Sequence, residues 1–178
     1  MTPPTRNRPP TLIVIAVAIL FIVLAVLEAM AGLLTPPASG PAALWRIHIR
    51  NAEEALAKRD LGGAERHWQN AYAGALGSRR WEGMIEVGDT ARRIGEVAGN
   101  RATADARARW TYLAALFRAR QEKSLDGVLR AAEAFSRLGD RQVVAQSLRI
   151  AKRLASRARD PQARERVSAL SERLATTH

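Results

Sequence analysis

The chain of 178 residues contains no cysteine. That excludes disulfides, thiolate nucleophiles, cysteine-ligated zinc and iron–sulfur clusters, and it leaves the redox compartment open. Catalytic constellations are missing too. The three histidines, His48, His67 and His178, stand in no HExxH arrangement and have no acidic partner at metal-ligand spacing. Gly62-Gly63 and Gly74 form neither a Walker loop nor a Rossmann fingerprint, each of which follows a strand. No run alternates β-branched and polar residues, so strands are not expected. Glu53-Glu54 and Asp60 read as solvated helix positions and not as an acid/base dyad. These absences argue against an enzyme, and neither a metal nor a cofactor is expected.

Lysine is scarce: Lys58, Lys123 and Lys152 are the only ones among 28 basic residues, which oppose 17 acids for a formal net charge of +11. Abundant arginine alongside abundant alanine points to GC-rich coding, so basicity by itself is a weak argument for nucleic acid. With no evident set of aromatics for base stacking, nucleic acid is not expected as a partner.

The strongest positive signal is an apolar run from Thr11 to Leu34, broken only by Glu28. At about 1.5 Å rise per residue a helix over 11–34 reaches roughly 36 Å, enough to cross a hydrocarbon core of about 30 Å with some tilt. The rival is a cleaved signal peptide, for which Ala29-Met30-Ala31 has the small-x-small form and Arg6 and Arg8 would supply the n-region. The run is longer than the roughly 7–15 residues of such a segment, which favours a retained anchor. Arg6 and Arg8 precede the run, whereas Arg46 and Arg50 follow it across an uncharged stretch, Thr35 to Pro41. The nearer pair places the N-terminus inside and the rest outside, on the periplasmic side of a bacterial inner membrane; the opposite topology would hold the basic domain against cytoplasmic anionic lipid. Glu28 has two readings, a polar contact to a partner helix or a tolerated charge near the interface. Trp45 likewise is either an interfacial anchor or the first core residue of the following helix.

The organisation expected is a tail over 1–10, the membrane helix at 11–34, a linker at 35–41 built on the breaker cluster Thr-Pro-Pro-Ala-Ser-Gly-Pro, and an all-α domain over 42–178. Apolar residues recurring at three- and four-residue spacings divide that domain into about seven helices, at 42–59, 61–77, 79–97, 101–121, 124–138, 140–158 and 160–176. In the last, Asp160 caps, Pro161 takes the first turn, and Ala163, Val167, Leu170 and Leu174 form one stripe.

One pattern recurs on the second helix of each candidate pair: a small residue, a large one four later, another apolar one three after that. The instances are Ala64-Trp68-Ala71, Ala106-Trp110-Leu113 and Val144-Leu148-Ala151. Val128, Ala131, Ala132 and Phe135 occupy matching places on the first helix of the third unit, Leu138-Gly139-Asp140 makes its turn, and Trp81 and Met84 begin the second unit. This resembles the second helix of a tetratricopeptide (TPR) repeat, and the resemblance implies stacked helix pairs with 160–176 as a capping helix. The units stand 42 and 38 residues apart where that family repeats every 34, and the closing proline is missing. On this register Trp68 and Trp110 are both core residues, and truncating either would cost roughly 3–5 kcal/mol. A plain antiparallel bundle is the other reading.

Charge concentrates at the C-terminal end, where residues 141–178 hold nine basic residues against three acids. Arg149, Arg153 and Arg157, with Lys152, fall at spacings that make an exposed ridge. It reads either as a solvated face or as a docking site for an acidic protein surface or anionic lipid. The functional expectation is a non-enzymatic single-pass membrane scaffold. It would be an accessory subunit or assembly factor that holds an integral-membrane protein complex through both its membrane helix and its helical domain. The alternative is a membrane-tethered chaperone or peptide-binding module.

Overall fold

The computed structural model describes residues 41–158 and 160–176. The tail, the membrane helix expected at 11–34 with Glu28, and all of the expected linker except Pro41 lie outside the described residues. Seven helices make up the described part: α1 (Pro41–Ala57), α2 (Leu61–Ser78), α3 (Trp81–Val97), α4 (Arg101–Gln121), α5 (Leu125–Arg137), α6 (Arg141–Ala158) and α7 (Pro161–Thr176). None of these is long and apolar enough to cross a membrane.

Local sequence sets the helix ends. Asp60 accepts from the Gly63 amide at 2.8 Å, Ser124 from the Gly127 amide at 3.1 Å and Asp160 from the Gln162 amide at 2.9 Å, each satisfying a donor the first turn leaves open. Each of the first five helices is followed by a residue in left-handed conformation, at Arg59, Arg79, Gly99, Lys123 and Gly139, with φ of 58°, 57°, 70°, 55° and 72°. Glycine, which stands at two of these positions, adopts that region without a Cβ penalty.

These ends fall on a fixed period. Pro41, Leu61, Trp81 and Arg101 begin successive helices, and Arg141 and Pro161 resume the same spacing. Only α5 departs from it, because α4 runs about one turn further, to Gln121, and α5 begins correspondingly late, at Leu125. Equivalent residues in successive helix pairs are therefore 40 apart, and the chain repeats on that length instead of alternating 42 and 38.

Packing follows the repeat. Helices α1, α3, α5 and α7 form one row in which each touches the next, and α2, α4 and α6 form a second row, each wedged against the first-row helix before it and the one after it. The second-row helices bury small residues at repeat-equivalent positions: Ala64, Ala104 and Val144, then Ala71, Thr111 and Ala151, then Ala75, Ala115 and Ala155. Small side chains here let helix backbones approach. Gly127 shows how close the approach becomes, since a Cβ there would lie 2.6 Å from the Ala119 Cβ and 2.8 Å from the Trp81 ring. The largest side chains fill what remains, with Trp45, Tyr112, Phe135 and Met84 fully buried and Tyr112 meeting Phe135 edge-on at 5.9 Å between centroids.

Two sequence expectations are decided by this packing. Trp45 is a core residue whose indole N–H donates to Glu86 at 2.7 Å. The expectation for the second unit is corrected, because Ala106 is exposed, Trp110 is 74% exposed and Leu113 lies at the surface. The repeat-equivalent residues are Ala104, Ala108 and Thr111, and the bulk of that layer comes from Tyr112. Residues two apart on a helix point about 200° away from each other. Burying Tyr112 therefore turns Trp110 outward. The stripe Ala163, Val167, Leu170 and Leu174 of α7 is buried, and the other faces of that helix are exposed.

Candidate interaction surface

The two rows present different chemistry. First-row helices neutralise one another at repeat-equivalent positions. Arg46 pairs with Glu86 at 3.2 Å and Glu53 with Arg93 across α1 and α3, while Asp126 pairs with Arg166 and Glu133 with Arg173 across α5 and α7. Each of these four pairs spans one 40-residue period. Between α3 and α5 the same rungs would place Glu86 opposite Asp126, two acids. That junction is held instead by Asp89, which accepts from the Tyr112 hydroxyl at 2.6 Å and from Arg137 at 2.7 Å. Burial first, and then the hydrogen bond and charge of Asp89, push the Tyr112 phenol far above its usual range. A groove of about 670 Å³ runs between α5 and α7, with Leu129, Ala169 and Leu170 in its lining beside Asp126, Arg130, Glu133, Arg166 and Arg173, whose charges answer one another.

The second row is not self-satisfied. Helix α4 buries Ala104, Ala108, Thr111, Tyr112, Ala115, Leu116 and Ala119 against the first row. On its opposite side Trp110 is 74%, Leu113 36% and Phe117 56% exposed, at spacings that make a single outward stripe. Arginines flank it. On the α2 side, Arg107 pairs with Glu65 at 2.7 Å and lies 5.2 Å over the Trp68 ring, and Arg118 donates to the carbonyls of Ala75, Leu76 and Arg80. On the other side Arg109 pairs with Asp140, the residue before α6. Helix α2 adds exposed Tyr72 and Leu76 on the same stripe as Glu65.

Helix α6 carries the sequence-predicted ridge. Arg149, Arg153 and Arg157 are exposed, as are Arg141 and Lys152, and the helix contains no acid. Among the described residues none of these five makes an ion pair, in contrast with the arginines of the first row. A groove of about 400 Å³ against α7 is lined by Lys152, Ser156, Arg164, Ser168, Ser171 and Glu172, a mixed-charge border to the ridge.

No family model, curated protein or solved structure matches this chain. Among the described residues no group of three or more potential metal ligands gathers. His48 and His67 stack with ring centroids 6.3 Å apart, as partly buried packing between α1 and α2. Glu53, read as a solvated helix position, is one of the ion-paired rungs, and Asp60, read likewise, is a helix cap.

The α4 stripe is the part of the surface that sequence reasoning missed. Its residues are apolar and sit near a repeat-like pattern, so they pass for core. The signal was available in the run from Thr111 to Phe117, which is apolar all round. Such a helix has more apolar faces than one packing layer can cover.

Proposed function

We propose that the chain is a non-enzymatic, single-pass membrane scaffold whose helical domain is a degenerate TPR-like repeat array. It would serve as an accessory subunit or assembly factor of a larger integral-membrane complex. The observation that carries this is the outer side of the second row, where the uncovered stripe Trp110, Leu113 and Phe117 lies one helix away from the acid-free ridge of α6. Contiguous exposed apolar surface marks a protein or membrane contact site, which an accessory subunit held at a membrane complex would present. The alternation of two rows with a constant 40-residue period supports the repeat reading, since stacked helix pairs produce both. An apolar segment at 11–34 would add a second contact, and linking two contacts raises avidity through effective concentration. The chaperone reading would use the groove between α5 and α7, where Leu129, Ala169 and Leu170 lie among charges that are already paired.

Purification from native membranes in a mild detergent, followed by quantitative mass spectrometry, tests the proposal. A scaffold subunit is recovered at fixed ratio with one complex. Several substoichiometric companions would replace it with the chaperone reading.

A further inference from the structure

We infer that the outer side of the second row is a bilayer-contacting face: the α4 stripe enters the boundary between head groups and acyl chains of an anionic leaflet, and the α6 ridge meets lipid phosphates. The inference rests on the membrane-anchored reading above.

Direction comes first. Helices α4 and α6 bury their opposite faces against the same row, so Trp110, Leu113 and Phe117 of α4 and Arg149, Arg153 and Arg157 of α6 project to one side of the domain. Shape comes next. The stripe stands on the outer face of α4, with Trp110 and Phe117 more than half exposed. A bilayer deforms around such side chains, whereas a protein would need a groove matched to them. Composition agrees, because tryptophan, phenylalanine and leucine bordered by arginine are what helices lying in the interfacial plane present.

Charge decides among occupants. A second copy of this chain would set one acid-free α6 ridge against another, and like charges facing each other oppose association. The ridge has the opposite sign to an anionic leaflet, and guanidinium groups bind phosphate with two parallel hydrogen bonds. A cluster of this size is attracted to such a surface, within a range set by salt.

The test uses the full chain reconstituted in lipid discs made with acyl-brominated lipid, which quenches tryptophan fluorescence at contact distance. Trp110 is the most exposed indole, since Trp45 is fully buried and Trp68 and Trp81 are partly covered. Discs containing brominated phosphatidylglycerol are expected to quench the wild type, with most of that quenching lost in Trp110→Phe. Pure phosphatidylcholine discs, or the variant Arg149→Glu/Arg153→Glu/Arg157→Glu in anionic discs, should show severalfold less. Quenching that survives Trp110→Phe unchanged overturns the inference. So does an unquenched Trp110 whose position cross-links to a protein in native membranes, which would make this a protein-docking face. Alkaline carbonate extraction reads the anchor separately: a retained chain with unquenched Trp110 overturns this inference alone, and a released chain with unquenched Trp110 overturns both.

Discussion

Trp110 and Tyr112 stand two positions apart and have opposite fates. Tyr112 is fully buried with its hydroxyl on Asp89, and Trp110 is 74% exposed. Trp110→Ala should therefore shift stability by no more than about 0.5 kcal/mol, whereas Trp45→Ala, which empties a core site, should cost roughly 3–5 kcal/mol. Chemical denaturation of the two variants checks the contrast, and a large loss in the first would restore Trp110 to the core. Tyr112→Phe removes one buried hydrogen bond and should cost about 1–3 kcal/mol, since the Asp89 and Arg137 charges lose a partner. Its pH signature follows from the raised phenol. Below about pH 10 the hydroxyl is protonated in both the folded and unfolded chain. Above that, the unfolded chain releases the proton that the fold retains, so stability contributed by Tyr112 falls as pH rises further. A melting series across that range should slope down more steeply for wild type than for Tyr112→Phe; parallel slopes would contradict the assignment.

The existence and order of the elements were legible in the sequence because capping residues and apolar periodicity act locally. Asp160 caps its helix as expected, Asp60 and Ser124 cap theirs without having been read as caps, and helix ends fall within a few residues of the expected breaks. The site was legible only in part. The basic ridge is a local pattern on one helix, so Arg149, Arg153 and Arg157 could be read directly and are indeed exposed. The α4 stripe depends on which of two apolar faces the neighbouring helices cover, and that is decided by α3 and α5, not by α4. Nor could the pairing of Asp89 with Arg137, residues 48 apart, be seen without the tertiary register. For α6 the expectation is specific. Reversing Arg149, Arg153 and Arg157 to glutamate should leave helicity and melting temperature near wild type, at most about 0.5 kcal/mol per exposed position, while weakening association with native membrane partners. Raising salt should weaken wild-type association in the same direction, because exposed charges are screened over roughly 8–10 Å at moderate ionic strength. If the triple variant is recovered with its partners at the wild-type ratio, the ridge is only a solvated face.

At the scale of the whole molecule, the proposal requires residues 11–34 to remain attached to the helical domain. Intact mass of the protein isolated from its host should include Met1 or begin within the first few residues; a chain beginning at Gly32 would convert it to an exported protein without an anchor. The four first-row ion pairs have a further meaning when their signs are written helix by helix. At the two rungs α1 carries plus then minus, α3 minus then plus, α5 two minuses and α7 two pluses. Only α1 with α3 and α5 with α7 agree at both rungs, and every other combination brings like signs together at one rung or offers two acids no answer. A chain built of similar helix pairs risks docking one unit where another belongs, within itself or with a neighbouring copy. Each exposed pair adds at most about 1 kcal/mol, so the code contributes little to how firmly the stack holds. Its effect is on pairing: the signs match α1 to α3 and α5 to α7, while the native α3–α5 seam, where one rung sets acid against acid, is joined through Asp89, Tyr112 and Arg137 instead.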